Sequence, residues 1–117
     1  MRSVLAALVL IPVLAQVDRL AAAEASDQRL ADGKKLAMAR SKGNCLACHA
    51  IADGELPGNI GPPLVYMQQR FPDKAQLRAQ VWDATARNPN TVMPPFGRHG
   101  ILTDEEIELI VDYIHSL

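Results

Sequence analysis

Residues 43–49 read Gly43-Asn44-Cys45-Leu46-Ala47-Cys48-His49, and they hold both cysteines of a 117-residue chain. Two thiols three positions apart, followed at once by an imidazole, admit four readings. A thioredoxin-like dithiol opens a helix in a βαβ sheet, and no segment here shows convincing strand alternation. A structural zinc site needs four ligands, whereas the motif supplies three and only His99 or His115 could complete it. A disulfide would close so short a loop that it removes little unfolded-state entropy, and it gives the histidine no role. The fourth reading is C-x-x-C-H, the attachment motif of c-type haem. Both sulfurs then form thioethers to the former vinyl groups of one porphyrin, and His49 brings its imidazole to the iron.

The N-terminus agrees with that chemistry. Met1 and Arg2 form a short positive start, residues 3–15 are almost wholly apolar, and Ala21, Ala22, Ala23 and Ala25 follow. This layout predicts a secretory signal peptide over residues 1–25, cleaved after Ala23 or Ala25. Pro12 interrupts the apolar run, and Asp18 and Arg19 end it short of the roughly 20 residues a spanning helix needs. The expected mature protein is a periplasmic domain, residues 26–117, without a membrane anchor. It carries ten Lys plus Arg against eleven Asp plus Glu, which argues against nucleic acid or an anionic membrane as partner.

Helical periodicity dominates this domain. A helix is expected over Asp27–Arg40, with Leu30, Gly33 and Ala37 on one face; a glycine there predicts close approach of another backbone, near Tyr113. Residues 51–63 hold three glycines and three prolines and form a loop. Pro63 is expected to open a short helix that stops near Phe71, because Pro72 follows. Asp73 caps a third helix that runs towards Arg87, before Asn88-Pro89. Residues 91–100 are again rich in Pro and Gly. The last helix is the clearest: Thr103 and Glu106 form a capping box, and Ile107, Ile110, Val111 and Ile114 make an apolar stripe. The expected fold is all-α, a small helical domain with long Pro/Gly loops wrapped around one covalently bound haem. So short a chain has a marginal core of its own, so the polypeptide without haem should fold poorly.

The second axial ligand must come from elsewhere in the chain. Met93 lies 44 residues beyond His49 in a proline-stiffened loop and is the choice; His99 is its rival. Met38 and Met67 are read as packing residues, and His115 as a surface residue. The carbonyl of Pro62 is expected to accept the other imidazole N–H of His49 and fix the ring. Trp82 either donates its indole N–H to a haem propionate or packs in the core. His/Met ligation leaves iron no open position and favours outer-sphere electron transfer.

GNCLACH, GPPL, MPPFG and the terminal amphipathic helix resemble class I cytochromes c over essentially the whole mature chain. More finely, NIGPPL, VWDAT and NPNTVMPPFG, with the spacing between them, resemble the monohaem SoxX subunits of sulfur-oxidising SoxAX complexes. That resemblance implies haem attachment at Cys45 and Cys48, with His49 and Met93 as axial ligands. It also implies a haem-bearing SoxA partner in a heterodimer. In such a complex thiosulfate is oxidatively coupled to a cysteine of the SoxYZ carrier, the thiol chemistry resides on SoxA, and this subunit passes electrons to a soluble cytochrome c. The chain would then be a non-catalytic subunit of an L-cysteine S-thiosulfotransferase. The alternative is a free monohaem shuttle in respiration.

Overall fold

The local signals of the last helix carry through into three dimensions. In the computed structural model, which describes residues 10–117 with side chains from residue 15 onward, this helix, α4, spans Asp104–His115. The Thr103 hydroxyl accepts from the Glu106 amide at 3.2 Å, and the Glu106 carboxylate accepts from the Thr103 amide at 3.0 Å, so both arms of the capping box are made. Ile107, Ile110, Val111, Tyr113 and Ile114 are buried along its stripe. The other helices are α1 (Leu10–Met38), α2 (Met67–Arg70) and α3 (Lys74–Trp82), with 3-10 turns at Cys45–Ala47 and Ala84–Ala86. Among the described residues there is no strand, and the fold is all-α.

Helices α1 and α4 form the main packing pair, and they cross at Gly33. A Cβ built there would lie 2.0 Å from the Leu109 carbonyl oxygen and 2.9 Å from Tyr113 Cβ. The expectation of a close backbone approach near Tyr113 is therefore met. Around the crossing, Ala37, Ile107 and Val111 are fully buried. Asp112 ties three helices on the surface: its carboxylate accepts from Arg29 on α1 at 2.6 Å and from Lys74 on α3 at 2.5 Å. Arg78 joins α3 to Glu108 and Asp104 of α4.

Four details differ from the sequence reading. Helix α1 extends far upstream of Asp27, because Ala21–Ala25 and their neighbours are strong helix formers; the side chains of residues 15–29 are exposed, so no core rests on that extension. Helix α2 begins at Met67 instead of Pro63. Residues 58–64 are spent pairing with 46–50, through Gly58 N to Leu46 O, Gly61 N to Cys48 O and Leu64 N to Ala50 O, and only after a left-handed Tyr66 (φ 53°) can the chain coil. Helix α3 stops at Trp82, short of Arg87, because Asp83 is extended and its side chain accepts from Thr85, restarting the chain as a 3-10 turn. His115 is half-buried, not a surface residue, with Nε2 3.0 Å from the Phe71 carbonyl oxygen.

Candidate haem site

The cysteine segment is shaped by backbone bonds before any side chain acts. Asn44 takes a left-handed conformation (φ 47°), and the Cys45 carbonyl then accepts from both Cys48 N (3.2 Å) and His49 N (2.9 Å). This tight turn presents Cys45, Cys48 and His49 to one cavity of about 850 Å³. That volume falls in the range of pockets that hold cofactor-sized ligands, roughly 300–1,000 Å³. Leu77 and Val81 of α3, Ile110 and Ile114 of α4, and Met67 and Phe96 give it apolar walls. Both thiols are free, and burial pushes that of Cys45 up to about 11, so it is held neutral. Among the described residues, no three His, Cys, Asp or Glu side chains gather as a metal cage, which removes support from the zinc reading.

His49 is oriented from outside the cavity. Its Nδ1 donates to the Pro62 carbonyl at 2.7 Å, which leaves Nε2 as the ring nitrogen with a free lone pair. Gly61 permits this placement, since a Cβ there would sit 2.3 Å from His49 Cε1. Met93 lines the same cavity, 44 positions further along the chain; its amide donates to Thr91 Oγ1 at 3.1 Å, and its sulfur lies 4.0 Å from Gln80 Nε2. Met67 also lines it, buried at 1 % exposure. His99, the rival ligand, is exposed and not part of the wall. Trp82 is absent from the wall too. Its ring rests on Gly97, where a Cβ would come within 2.0 Å, and Arg78 lies 5.4 Å from the ring centroid.

The charged residues of the wall are Arg40, Lys42, Arg70 and Arg87, with no carboxylate. A ligand with an apolar body, carboxylate arms and a metal that takes imidazole and thioether donors fits this set, and haem has all three properties. Sequence reasoning did not single out the four cations or Gly61. The cations were dispersed over 47 positions and meet only in the fold, whereas Gly61 stood directly before the Pro62-Pro63 pair and was the one signal available.

The comparisons with known proteins bear on this cavity directly. The sequence model of the family described as cytochrome C oxidase, cbb3-type, subunit III matches residues 28–114. An uncharacterized lipoprotein of Aquifex aeolicus (strain VF5) is 40% identical over 76 residues, which is 64% of this chain and 37% of that protein. The chain thus spans little more than a third of that relative's length. Among solved structures, SoxXA from P. pantotrophus superposes with a TM-score of 0.65 at 31% identity, covering 73% of this chain and 78% of that one. With an all-helical fold, a cavity fitted to haem and a family match running from α1 to the end of α4, the chain belongs to the cytochrome c family described as cbb3-type cytochrome c oxidase subunit III and is structurally similar to SoxXA.

Proposed function

We propose that this protein is a periplasmic, SoxX-like electron-transfer subunit carrying one covalently bound haem c. The observation that carries the reading is the convergence of Cys45, Cys48, His49 and Met93 on one apolar cavity with a cationic wall. Cys45 and Cys48 would hold the porphyrin through thioether links. His49 Nε2 and Met93 Sδ would hold its iron, and the Pro62 carbonyl, which accepts from His49 Nδ1, keeps the imidazole in one tautomer and one orientation. When bound, haem supplies reversible one-electron exchange at iron. The chain's own part is to exclude water with Leu77, Val81, Ile110 and Ile114 and to leave an edge accessible at the rim.

That rim supports docking. Ile60 and Val92 line the cavity yet are 69% and 74% exposed, and Ile101 is 42% exposed. Apolar groups around an opening onto a redox centre suit a partner that must approach closely and exclude water. We assign the partner as a SoxA-like haem subunit, on the strength of the SoxXA similarity. The complex would couple thiosulfate oxidatively to the SoxYZ carrier cysteine, with this subunit non-catalytic and passing electrons to a soluble cytochrome c. Residues 1–25 would serve as the export signal; described side chains of that stretch are exposed, consistent with removal, and no helix among the described residues is long and apolar enough to cross a membrane.

The family description names a cytochrome c oxidase, which supports respiration as the setting of a second reading, in which the chain is a free monohaem carrier. Co-expression with a SoxA-type subunit, with export and haem maturation intact, separates them. The expected product is a 1:1 complex in which thiosulfate plus carrier protein reduces this subunit. A strictly monomeric product that exchanges electrons normally without SoxA would sink the first reading.

A further inference from the structure

Two methionine sulfurs line the cavity, and their surroundings differ. Met67 Sδ lies 3.3 Å from Arg70 Nη1, which approaches as a charged donor. The same nitrogen donates to the Pro63 carbonyl at 2.7 Å and reaches the Val65 carbonyl at 3.4 Å. One guanidinium nitrogen thus gathers three acceptors from residues 63–67, the segment that begins one residue after the carbonyl holding His49. The backbone cannot do this alone. Pro62 and Pro63 have no N–H, the backbone bonds Gly61 N to Cys48 O (2.8 Å) and Leu64 N to Ala50 O (2.9 Å) flank the pair, and the next, Met67 N to Leu117 O (2.9 Å), lies beyond the reversal, which leaves the carbonyls of Pro63 and Val65 to Arg70. Tyr66, in the left-handed region at φ 53°, reverses the chain between residues 58–64 and α2, a strained conformation for a tyrosine. Arg70 makes contacts on both sides of that reversal.

We propose that Arg70 is a positioning residue that decides which thioether is free to ligate. It occupies the Met67 sulfur and pins residues 63–65, so that Met93 is the uncommitted sulfur and the Pro62 carbonyl stays under His49. A lone pair engaged by a cationic donor is a poorer metal ligand than one facing only a distant amide such as Gln80 at 4.0 Å. This inference rests on the axial-pair reading of the preceding subsection.

The test uses holoprotein exported with haem maturation, observed through the absorption band of iron-to-thioether bonding. Met93→Ala alone should lose the band. Adding Arg70→Leu should restore it through Met67, adding Arg70→Lys, which keeps a donor, should not, and the triple variant with Met67→Leu should lose it again. A band lost in the single variant and absent from the Arg70→Leu double variant overturns the proposal alone, whereas a band that survives Met93→Ala overturns the axial pair and the proposal together. With Met93 intact, Arg70→Leu should speed hydrogen exchange at the Leu64 amide about tenfold while α4 amides stay unchanged. If Arg70→Leu gives no holoprotein, Arg70→Ala, which also removes every donor, takes its place in both measurements, and an unchanged Leu64 amide there overturns the proposal.

Discussion

Gly33→Ala sets two effects of opposite sign against each other. Inside a helix the substitution gains about 1 kcal/mol of intrinsic propensity. The new methyl, however, would lie 2.0 Å from the Leu109 oxygen, 2.8 Å from the Leu109 carbonyl carbon and 2.9 Å from Tyr113 Cβ. Ordinary contact begins at 3.4 Å, so α1 and α4 would have to part by 3.4 − 2.0 = 1.4 Å along that line. The obstacle is backbone and cannot rotate aside. Parting the helices loosens Ala37, Ile107 and Val111, all fully buried, and overpacking of this kind costs about 1–3 kcal/mol. The upper end applies where backbone must yield, leaving a net loss of about 2 kcal/mol after the helix gain. For a domain of about 90 residues this lowers Tm by about 8–16 °C. Thermal unfolding of the mature holoprotein, followed by far-UV circular dichroism, measures it. A Tm equal to or above wild type would refute the crossing at Gly33, because propensity would then have won.

Gly61→Ala should act on the site rather than on stability: its methyl falls 2.3 Å from the His49 ring, so the imidazole must turn, and the visible spectrum and reduction potential should shift while α4 amide exchange does not. An unaltered spectrum would show that the ring is not confined by that backbone. Asp112→Asn should cost about 1 kcal/mol near neutral pH through loss of the Arg29 and Lys74 pairs. Burial pushes the Asp112 carboxyl up, but the Lys74 and Arg29 hydrogen bonds outweigh it and hold the group below its usual range. Its contribution is therefore complete above the unfolded carboxylate value, about 3.9, and is lost as pH falls through the depressed folded value. The variant should show a shallower acid limb in denaturation titrations, and an unchanged limb would remove Asp112 from the account.

What was legible in the sequence was whatever a few neighbouring residues decide. The capping box at Thr103 and Glu106, the cap at Asp73 and the apolar stripe of α4 each lie within one or two turns, and each is formed. Gly33 was legible for a related reason: a helical glycine costs stability, and only a close contact offsets that. Trp82 was less so, because its surroundings are set by Gly97, fifteen positions away, and by Arg78 on its own helix. The late start of α2 came from pairing of residues 58–64 with 46–50, a tertiary choice that overrode the helix-opening preference of Pro63. Asp83 repeats the side-chain-to-amide pattern of Asp73, and that repetition was the overlooked clue to the end of α3.

The division of the core explains why so little polypeptide suffices. Among the described residues, seven of the twelve buried in the main cluster (Met67, Leu77, Val81, Phe96, Leu102, Ile110 and Ile114) also line the cavity. The α1–α4 crossing, with Ala37, Ile107, Val111 and Tyr113, stands apart from it. A large apolar ligand in the cavity would meet these seven residues on their far side and complete the packing that the helices give them on the near side. On the proposed function, thioethers at Cys45 and Cys48 would add a second hold on that ligand, keeping it seated against these residues even when the helices around it loosen.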